Sequence, residues 1–379
     1  MQWGLYVHIP FCPYKCAYCD FVAVRAGSRV TGWFVPYLQA LRGEAQYLRA
    51  RTSVPPTTVF YGGGTPTALP ASSLRALHED LVRLWDLPVD AEVTVECNPG
   101  TVGADDLRLL RSGGVNRLSI GLQAWQDPLL EGVGRHHSRQ DFLSAFGAAR
   151  DAGFSTIGVD LMYGLPGQSL SDVCESVRAV CDLRPEHISL YGLQVESGTP
   201  LDAWLRRGQI ALPGEDVEAS MYGTARRMLL QAGYDHYEIS NFALPGHQCR
   251  HNRLYWENAS YLGLGIGAAS HWGGERWKNT SRLALYCRTT QEGNEAWVEE
   301  REVPDAERAR AEGAFLGLRL LEGVDLAAYR SRYGVELEAR CPAEVERFIA
   351  QGLLVRAEGH LRLTEAGLLL SNQVFAAFV

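Results

Sequence analysis

The stretch Tyr6-Val-His-Ile-Pro-Phe-Cys12-Pro-Tyr-Lys-Cys16-Ala-Tyr-Cys19-Asp-Phe21 places three cysteines within eight residues after an apolar run, whereas the other six cysteines are scattered. In a reducing compartment, a tight group is typical of a metal site, and scattered cysteines are typical of buried thiols. The chain offers no second pair of ligands at zinc spacing. Three close thiolates can instead hold three corners of a cubane cluster and leave its fourth iron open. We therefore predict that Cys12, Cys16 and Cys19 bind a [4Fe-4S] cluster.

The first half of the chain alternates short β-branched or aromatic runs with helix-like stretches. The runs are GLYVHIP, TVFYGGG, EVTVECN, RLSIGLQ, TIGVDLMYG and HISLYGLQ, and residues 34–49 carry the apolar stripe of an amphipathic helix. This alternation is typical of repeated β/α units around a parallel sheet. Polar and glycine-rich residues follow each run, at the strand ends where such folds bind ligands. Six strands that deliver loops to one edge favour an α/β fold with a partial (β/α)6 barrel over a doubly wound sheet.

The pattern changes after about residue 300. Helical stretches are predicted over 304–322, 326–333 and 342–351, followed by a hairpin about Glu358-Gly359 and a last helix in EAGLLLSNQVFAAF. This order is that of a small winged-helix-like domain. Residues 324–379 contain six arginines, no lysine and seven acidic residues, a poor match to phosphate backbones. We predict a packing or lid domain and divide the chain into a barrel (1–235), a connecting segment (236–300) and a C-terminal domain (301–379).

Composition narrows the classes of partner. The formal charge of −8, from 44 acidic and 36 basic side chains, argues against a general nucleic-acid binder and against a polybasic membrane-surface protein. The N-terminus has no signal-peptide pattern, and the chain has no uncharged apolar run of about 18 residues. We expect a cytoplasmic protein without an integral membrane span. The apolar C-terminal helix leaves a homodimer open, since packing on the barrel would use the same residues.

The cysteine loop YVHIPFCPYKCAYCDF resembles that of radical S-adenosylmethionine (SAM) enzymes, and specifically that of the coproporphyrinogen III dehydrogenase and HemW-type haem chaperone group. The resemblance extends over nearly the whole chain. It implies that the open iron chelates the amino and carboxylate groups of SAM. It also implies that one-electron reduction cleaves the sulfonium to give a 5′-deoxyadenosyl radical.

Further positions match what a bound SAM needs. Gly62-Gly63-Gly64-Thr65-Pro66 follows the second run, and glycines let backbone groups approach a ligand closely. Its likeness to the family's GGGTP segment implies that Gly63, Gly64 and Thr65 contact the methionine moiety of SAM. A carboxylate can accept hydrogen bonds from hydroxyl or ammonium groups, and an arginine offers a fork for a carboxylate. The resemblance implies SAM contacts at five more positions: Tyr6, Glu96, Gln123, Arg135 and Asp160.

A second distinctive segment ends at His271. About 25 residues hold three histidines, one cysteine and several aromatic residues. They could supply an iron ligand and flat walls for a porphyrin, or they could form a packed aromatic core with hydrogen-bonded histidines. The string HNRLYW, which starts at His251, resembles the HNxxYW motif of HemW-type haem chaperones. The resemblance implies that His251 contacts haem and leaves the ligating atom open.

The chain departs from coproporphyrinogen III dehydrogenases in two ways. Those enzymes have CxxxCxxCxC, whereas the last of these positions is Phe21 here, and they carry a longer N-terminal arm before the first strand. The resemblance therefore favours a chaperone that binds haem and transfers it to acceptor haem proteins, such as respiratory haem enzymes. Cluster and SAM binding would be retained, coproporphyrinogen oxidation would not, and whether the chain has an enzymatic activity stays open. The alternative is the dehydrogenase, which decarboxylates two propionates to vinyl groups, and a third option is a radical SAM enzyme with another substrate.

Overall fold

The computed structural model describes residues 2–25, 31–290, 292, 295–339 and 341–378. In these ranges the chain forms the strands β1 (Trp3–Ile9), β2 (Phe11–Cys12), β3 (Val24–Arg25), β4 (Thr58–Gly63), β5 (Glu92–Cys97), β6 (Arg117–Gln123), β7 (Ile157–Tyr163), β8 (His187–Gly192), β9 (Asp235–Glu238), β10 (Asn241–Ala243), β11 (Ser260–Leu264), β12 (Ala269–Trp272), β13 (Glu275–Asn279), β14 (Val298–Glu302), β15 (Val324–Asp325), β16 (Leu354–Ala357) and β17 (His360–Leu363).

The same ranges contain helices between most of the strands. They are α1 (Phe34–Arg49), α2 (Ala71–Trp85), α3 (Ala104–Ser112), α4 (Asp127–Gly132), α5 (Arg139–Asp151), α6 (Leu170–Leu183), α7 (Pro200–Arg206), α8 (Glu215–Gln231), α9 (Arg250–Trp256), α10 (Leu283–Thr289), α11 (Ala306–Gly317), α12 (Leu326–Tyr333), α13 (Pro342–Ala350), α14 (Glu365–Leu369) and α15 (Ser371–Ala376). Single 3-10 turns lie at Thr31–Trp33, Pro66–Ala68 and Leu337–Ala339. No helix in the described ranges is both long and apolar enough to cross a bilayer.

The six runs of the sequence form six parallel strands. Strands β1, β4, β5, β6, β7 and β8 are hydrogen-bonded in this order, and every pairing among them is parallel. Helices α1, α2, α3, α5 and α6 lie in the connections between successive strands, as parallel pairing requires. The predicted α/β fold class is therefore confirmed.

The sheet continues beyond these six strands at both ends. Strand β11 pairs parallel with β1, and β12, β13 and β14 add antiparallel beyond it. At the other end β10 and β9 add antiparallel to β8, which completes a twelve-stranded sheet. The segment 236–300 thus supplies strands to the same sheet as the barrel, and β9 and β14 span the expected boundaries at 235 and 300. The three-part division of the chain stays a prediction.

Side chains alternate across the parallel strands, so that one face of a strand packs into the apolar core and the other faces a cavity. On β5, Val93 and Val95 belong to the apolar core, in which Leu77 of α2 is also buried, whereas Thr94 and Glu96 line a cavity. Residues of β1 and of β8 line the same cavity, although the two strands are separated by four others. The parallel strands therefore curl around one interior cavity, as a partial barrel does.

The C-terminal residues form helices around a small sheet of order β15-β17-β16. The predicted hairpin turns at Glu358 and Gly359, both with positive φ (54° and 80°), which suits the twist of a two-residue hairpin. The predicted single last helix is wrong, because the chain leaves helical geometry at Leu370, between α14 and α15. Buried Leu368 and Phe375 are spaced as on one helical face, so the apolar periodicity does not reveal the break.

Glu44 joins α1 to the part of the sheet beyond β1. Its fully buried carboxylate accepts hydrogen bonds from the backbone N–H of Gly265 (2.8 Å), from the Asn279 side-chain amide (2.6 Å) and from the Tyr286 hydroxyl. These partners belong to the β11–β12 loop, β13 and α10. Burial raises the pKa of Glu44 to about 7, although the three donors favour its ionised form.

We predict that Glu44 makes the stability of the fold depend on pH. Because the folded protein keeps the Glu44 proton to a higher pH than the unfolded chain does, the wild type loses free energy of unfolding as the pH rises from about 4.5 to about 7. The Glu44→Gln variant has no titrating group at this position. Over this pH range the free energy of unfolding of the wild type should therefore fall, relative to that of the variant, by on the order of 3 kcal/mol. Urea denaturation at several pH values measures it, with the exposed Glu131→Gln as control. A Glu44→Gln difference that does not change with pH would contradict the prediction.

Candidate functional site

The three clustered cysteines lie at the end of the barrel where the parallel strands end. Cys12, Cys16 and Cys19 carry free thiols and line one cavity of about 570 Å³. The Cys12 sulfur lies 3.5 Å from the Thr65 hydroxyl, and the Cys16 sulfur accepts a hydrogen bond from Arg135 Nη1 (3.5 Å). Burial raises the pKa of the Cys12 thiol, and that of Cys19 to about 11.

The donor set fits an iron–sulfur cluster. In the described ranges, no group of three or more His, Cys, Asp or Glu side chains is arranged to hold a single metal ion. A cubane cluster binds each thiolate through a different iron, so its ligands do not converge on one ion. Three free thiols on one loop at one cavity are therefore a suitable set.

The glycine-rich segment is attached directly to the cysteine loop. Gly64 N–H donates to the Ile9 carbonyl (2.8 Å), and Thr65 N–H donates to the Phe11 carbonyl (2.9 Å). A Cβ on Gly64 would lie 2.7 Å from the carbonyl carbon of Pro10, which is closer than real Cβ contacts come. Only glycine therefore allows the two segments to approach as they do, and the approach brings Thr65 beside Cys12.

Two carboxyl groups line the cavity from β5 and β7, on either side of β6. Glu96 is the second-last residue of β5, whereas Asp160 lies in the middle of β7 and not after its end as the sequence predicted. Glu96 accepts a hydrogen bond from Gly63 N–H (3.1 Å), and Asp160 accepts one from the Ser119 hydroxyl (3.0 Å). Burial, and next the charge of Asp160, raises the pKa of Glu96 to about 8, and burial also raises the pKa of Asp160. At neutral pH Glu96 can therefore donate a hydrogen bond as well as accept one.

Arg135 connects the strand ends to the cysteine loop. Its Nη2 donates to the Gly121 carbonyl (2.5 Å) and to the Asn98 side-chain oxygen (2.9 Å), while its buried Nε has no hydrogen-bond partner in the described part of the chain. Gln123 has a positive φ of 75° at an irregularity in the β6–β7 pairing. Such backbone irregularities often re-aim side chains at functional sites.

Tyr6 forms part of the cavity wall. Its hydroxyl lies 3.1 Å from His8 Nδ1, and its ring stacks near Phe60 with a centroid distance of 6.3 Å. The same cavity is lined by all the residues that the sequence analysis singled out as ligands or contacts: Tyr6, Cys12, Cys16, Cys19, Gly63, Gly64, Thr65, Glu96, Gln123, Arg135, Asp160 and His251. What each of them binds stays a prediction.

His251 lies at the other end of the barrel, where α9 closes it. Its Nδ1 lies 2.7 Å from the hydroxyl of Thr58, the first residue of β4, and its Nε2 lies 2.9 Å from the Tyr255 hydroxyl. The ring stacks on Phe60 (5.2 Å, 27°), and burial lowers its pKa to about 3, so it is neutral. Both ring nitrogens are engaged, so a bond from His251 to iron would require one of these hydrogen bonds to break.

The rest of the second segment divides between the cavity and its surroundings. Asn252 and Tyr255 line the cavity with His251, whereas His247 and His271 do not. Trp256, the last residue of HNRLYW, also lies outside the cavity, and the Arg319 guanidinium lies 4.2 Å from its ring centroid. The motif therefore presents His251, Asn252 and Tyr255 to the cavity and Trp256 to the C-terminal part of the chain.

Several cavity residues were not predicted from the sequence. They lie on the inward faces of β5, β6 and β8, below the strand ends, and include Thr94, Arg117, Ser119, His187 and Ser189. The signal that could have found them is the period of two in EVTVEC, RLSIGLQ and HISLYG, where polar and apolar residues alternate. In a sheet covered by helices, this alternation indicates that the polar side chains face an interior cavity and not solvent.

The comparisons with known proteins agree with this architecture. The family model described as Radical SAM superfamily matches residues 6–180, and that described as HemN C-terminal domain matches residues 305–370. The chain is 38% identical over 376 residues to "Heme chaperone HemW" of Bacillus subtilis, covering 99% of this chain and 98% of the relative. It is 32% identical over 384 residues to "Heme chaperone HemW" of Escherichia coli, covering 99% and 98%.

A solved structure has the same fold. The structure titled "Coproporphyrinogen III oxidase (HemN) from Escherichia coli is a Radical SAM enzyme" superposes with a TM-score of 0.85 at 23% identity, covering 100% of this chain and 90% of that one. At this identity the likeness shows the fold alone. It includes the small C-terminal domain that the sequence predicted.

We predict that Gly64→Ala destabilises the protein. The added methyl group would meet backbone atoms of Ile9 and Pro10, which cannot move aside as a side chain can, so the free energy of unfolding should fall by about 1–3 kcal/mol. Gly147→Ala in α5 is the matched control, because nothing lies within 4 Å of the added Cβ, and it should gain about 0.5–1 kcal/mol. Urea denaturation of both variants checks this, and equal stabilities would contradict it.

Proposed function

This chain belongs to the radical SAM superfamily and, within it, to the HemW family, and from this premise we propose that it is a haem chaperone, which binds haem and transfers it to acceptor haem proteins. The observation that carries the proposal is a single cavity that is lined by the three cysteines near one end and by His251, Asn252 and Tyr255 of HNRLYW near the other. Its volume of about 570 Å³ lies within the range usual for cofactor sites.

At the cysteine end, the proposal includes a [4Fe-4S] cluster on Cys12, Cys16 and Cys19 with SAM beside it. Bound together, these groups would supply one-electron chemistry at the sulfonium of SAM. The residues of the chain would bind these groups and orient them. Gly64 lets the glycine segment pack against the cysteine loop, which brings Thr65 beside Cys12. The cationic Arg135 stands beside the Cys16 sulfur, where it offsets thiolate charge.

At the other end, the proposal includes haem against the aromatic residues of the cavity wall. Phe60 stacks between Tyr6 and His251, and Tyr255 packs edge-on against His251 at 5.1 Å. Flat aromatic surfaces suit a porphyrin plane. Both ring nitrogens of His251 form hydrogen bonds within the protein. We therefore propose that His251 contacts the porphyrin through its ring while both hydrogen bonds stay intact.

Coproporphyrinogen oxidation is not part of the proposal. Phe21 stands where enzymes of that activity have a further cysteine, and its side chain lines the cavity with 62% of its surface exposed. The partners proposed are haem and acceptor haem proteins.

We predict that Cys12→Ser, Cys16→Ser and Cys19→Ser each lose the cluster, because each removes one of three thiolate ligands. Cys97→Ser and Cys249→Ser are matched controls, since both cysteines line the same cavity but lie outside the loop. Iron and sulfide content after anaerobic reconstitution, together with absorption at the violet end of the spectrum, measures the effect. A normal cluster in any of the first three variants would refute the ligand assignment.

We predict stoichiometric haem binding by the reconstituted protein, with His251→Ala weakening it by roughly tenfold, about 1.4 kcal/mol of lost ring contact. A titration followed at the Soret band measures both affinities. The matched control is His78→Ala, another buried histidine, whose Nδ1 lies 3.0 Å from the Tyr61 hydroxyl and which lies outside the cavity. It should bind haem as the wild type does.

The same titration can reject the proposal. If the wild type shows no saturable haem binding, the chaperone function fails, and turnover of coproporphyrinogen III becomes the next assay. If His251→Ala and His78→Ala weaken binding equally, HNRLYW is not a haem contact.

A further inference from the structure

The interior of the barrel contains buried donors that no protein group satisfies. Thr94 is fully buried and His187 is 3% exposed, yet Thr94 Oγ1 and His187 Nδ1 have no hydrogen-bond partner within the described ranges. Both side chains line the cavity. A buried polar atom without a partner costs about 1–3 kcal/mol, so two of them facing one cavity point to binding of a polar group there.

Arg117 faces the same space with an unpaired charge. It is 4% exposed, lines the cavity, and stands opposite Thr94 in the β5–β6 register. One of its nitrogens, Nη1, donates to the His247 carbonyl (2.9 Å). In the described part of the chain no carboxylate oxygen lies within 4.0 Å of its guanidinium, and a buried cation without a paired anion is costly.

The nearby carboxylates are already engaged by other groups. Glu92 accepts backbone N–H bonds from Arg250 and His251, both at 3.0 Å, and Asp160 accepts the Ser119 hydroxyl. The charges of Glu92 and Asp160 still act on Arg117 from a longer distance, and they favour its cationic form. Neither occupies the position of a directly bound anion.

The hydrogen bonds around His187 indicate that it presents a donor. Its Nε2 lies 2.9 Å from the Tyr237 hydroxyl, whose oxygen already accepts the backbone N–H of Cys249 (3.3 Å). We therefore infer that the Tyr237 hydroxyl donates its hydrogen to His187 Nε2. Burial lowers the pKa of His187 well below its usual value, so the ring is neutral. The ring proton is then on Nδ1.

Space for a ligand lies beside these donors. Gly158 on β7 pairs with Ser119 on one side and with His187 on the other, and it contributes no side chain. A Cβ at Gly158 would lie 3.4 Å from His187 Nδ1. The glycine therefore leaves the space between β6 and β8 open in front of the imidazole.

We propose that Arg117, Thr94 and His187 form a binding site for a carboxylate, and that its ligand is a propionate group of the porphyrin. A guanidinium, a hydroxyl and an N–H are together suited to the two oxygens of a carboxylate. Arg117 and His187 are the first residues of β6 and β8, whereas the cysteine loop follows a strand end, so the site is distinct from the position expected for the SAM carboxylate. This inference rests on the proposed haem binding and adds the group that orients the haem.

The test compares haem with its dimethyl ester, in which both propionates are esterified. The wild type should bind haem about tenfold more tightly than the ester, because the ester has no charged group for Arg117. Arg117→Gln should remove this preference. Since Arg117 is buried and its loss could impair folding, Thr94→Val is the second variant. It has nearly the same shape and removes an unsatisfied hydroxyl, so its melting temperature should not fall.

Thr94→Val should weaken haem binding several-fold and leave the affinity for the ester unchanged. Thr290→Val, at a buried threonine outside the cavity, should change neither affinity. Equal binding of haem and ester by the wild type, or equal weakening of both by Thr94→Val, would overturn the carboxylate site alone. Absence of saturable binding of either compound would overturn the proposed function and the site with it.

Discussion

Every second side chain of the curled parallel strands points inward, and this alternation determines the character of the interior. Strands of a parallel sheet covered on both faces are usually apolar throughout. Here Val93 and Val95 pack into the core, while Thr94 and Glu96, between and after them, face the cavity. A slip of one residue would bury the carboxyl group in the core and turn valines into the cavity. The strand register and the chemistry of the cavity therefore depend on the same pattern.

Placing ionisable groups in this interior costs free energy, because the groups lie away from water. Two arginines and two carboxyl groups, at Arg117, Arg135, Glu96 and Asp160, line one cavity without forming an ion pair within 4.0 Å in the described residues. Hydroxyl groups and backbone N–H and C=O groups hold them instead. Dipoles fixed by strands and short loops need little reorganisation when a charged ligand arrives, which is how preorganised sites gain strength.

The sequence predicted well what local periodicity and spacing determine. The helix at Phe34–Arg49 has the expected bounds, the six runs form six of the parallel strands, and the hairpin turns at Glu358 and Gly359. The sequence did not reveal that β9 to β14 extend the sheet. Whether a short segment forms a strand depends on its pairing with residues that are distant in the chain. Nor could the sequence show that both His251 nitrogens are engaged, since residue type indicates capacity for a bond and not its partner.

Among the described residues the sheet does not close on itself, and one of its edges, β14, has the sequence Val-Glu-Glu-Arg-Glu over 298–302. An edge strand offers unpaired backbone groups to any other strand, and charged side chains are a common defence against such pairing. Two copies of this chain joined through β14 would bring rows of glutamates together, with Glu299 and Glu300 exposed. Like charges would oppose this continuous intermolecular sheet. The excess of negative charge on β14 therefore disfavours self-association through this edge.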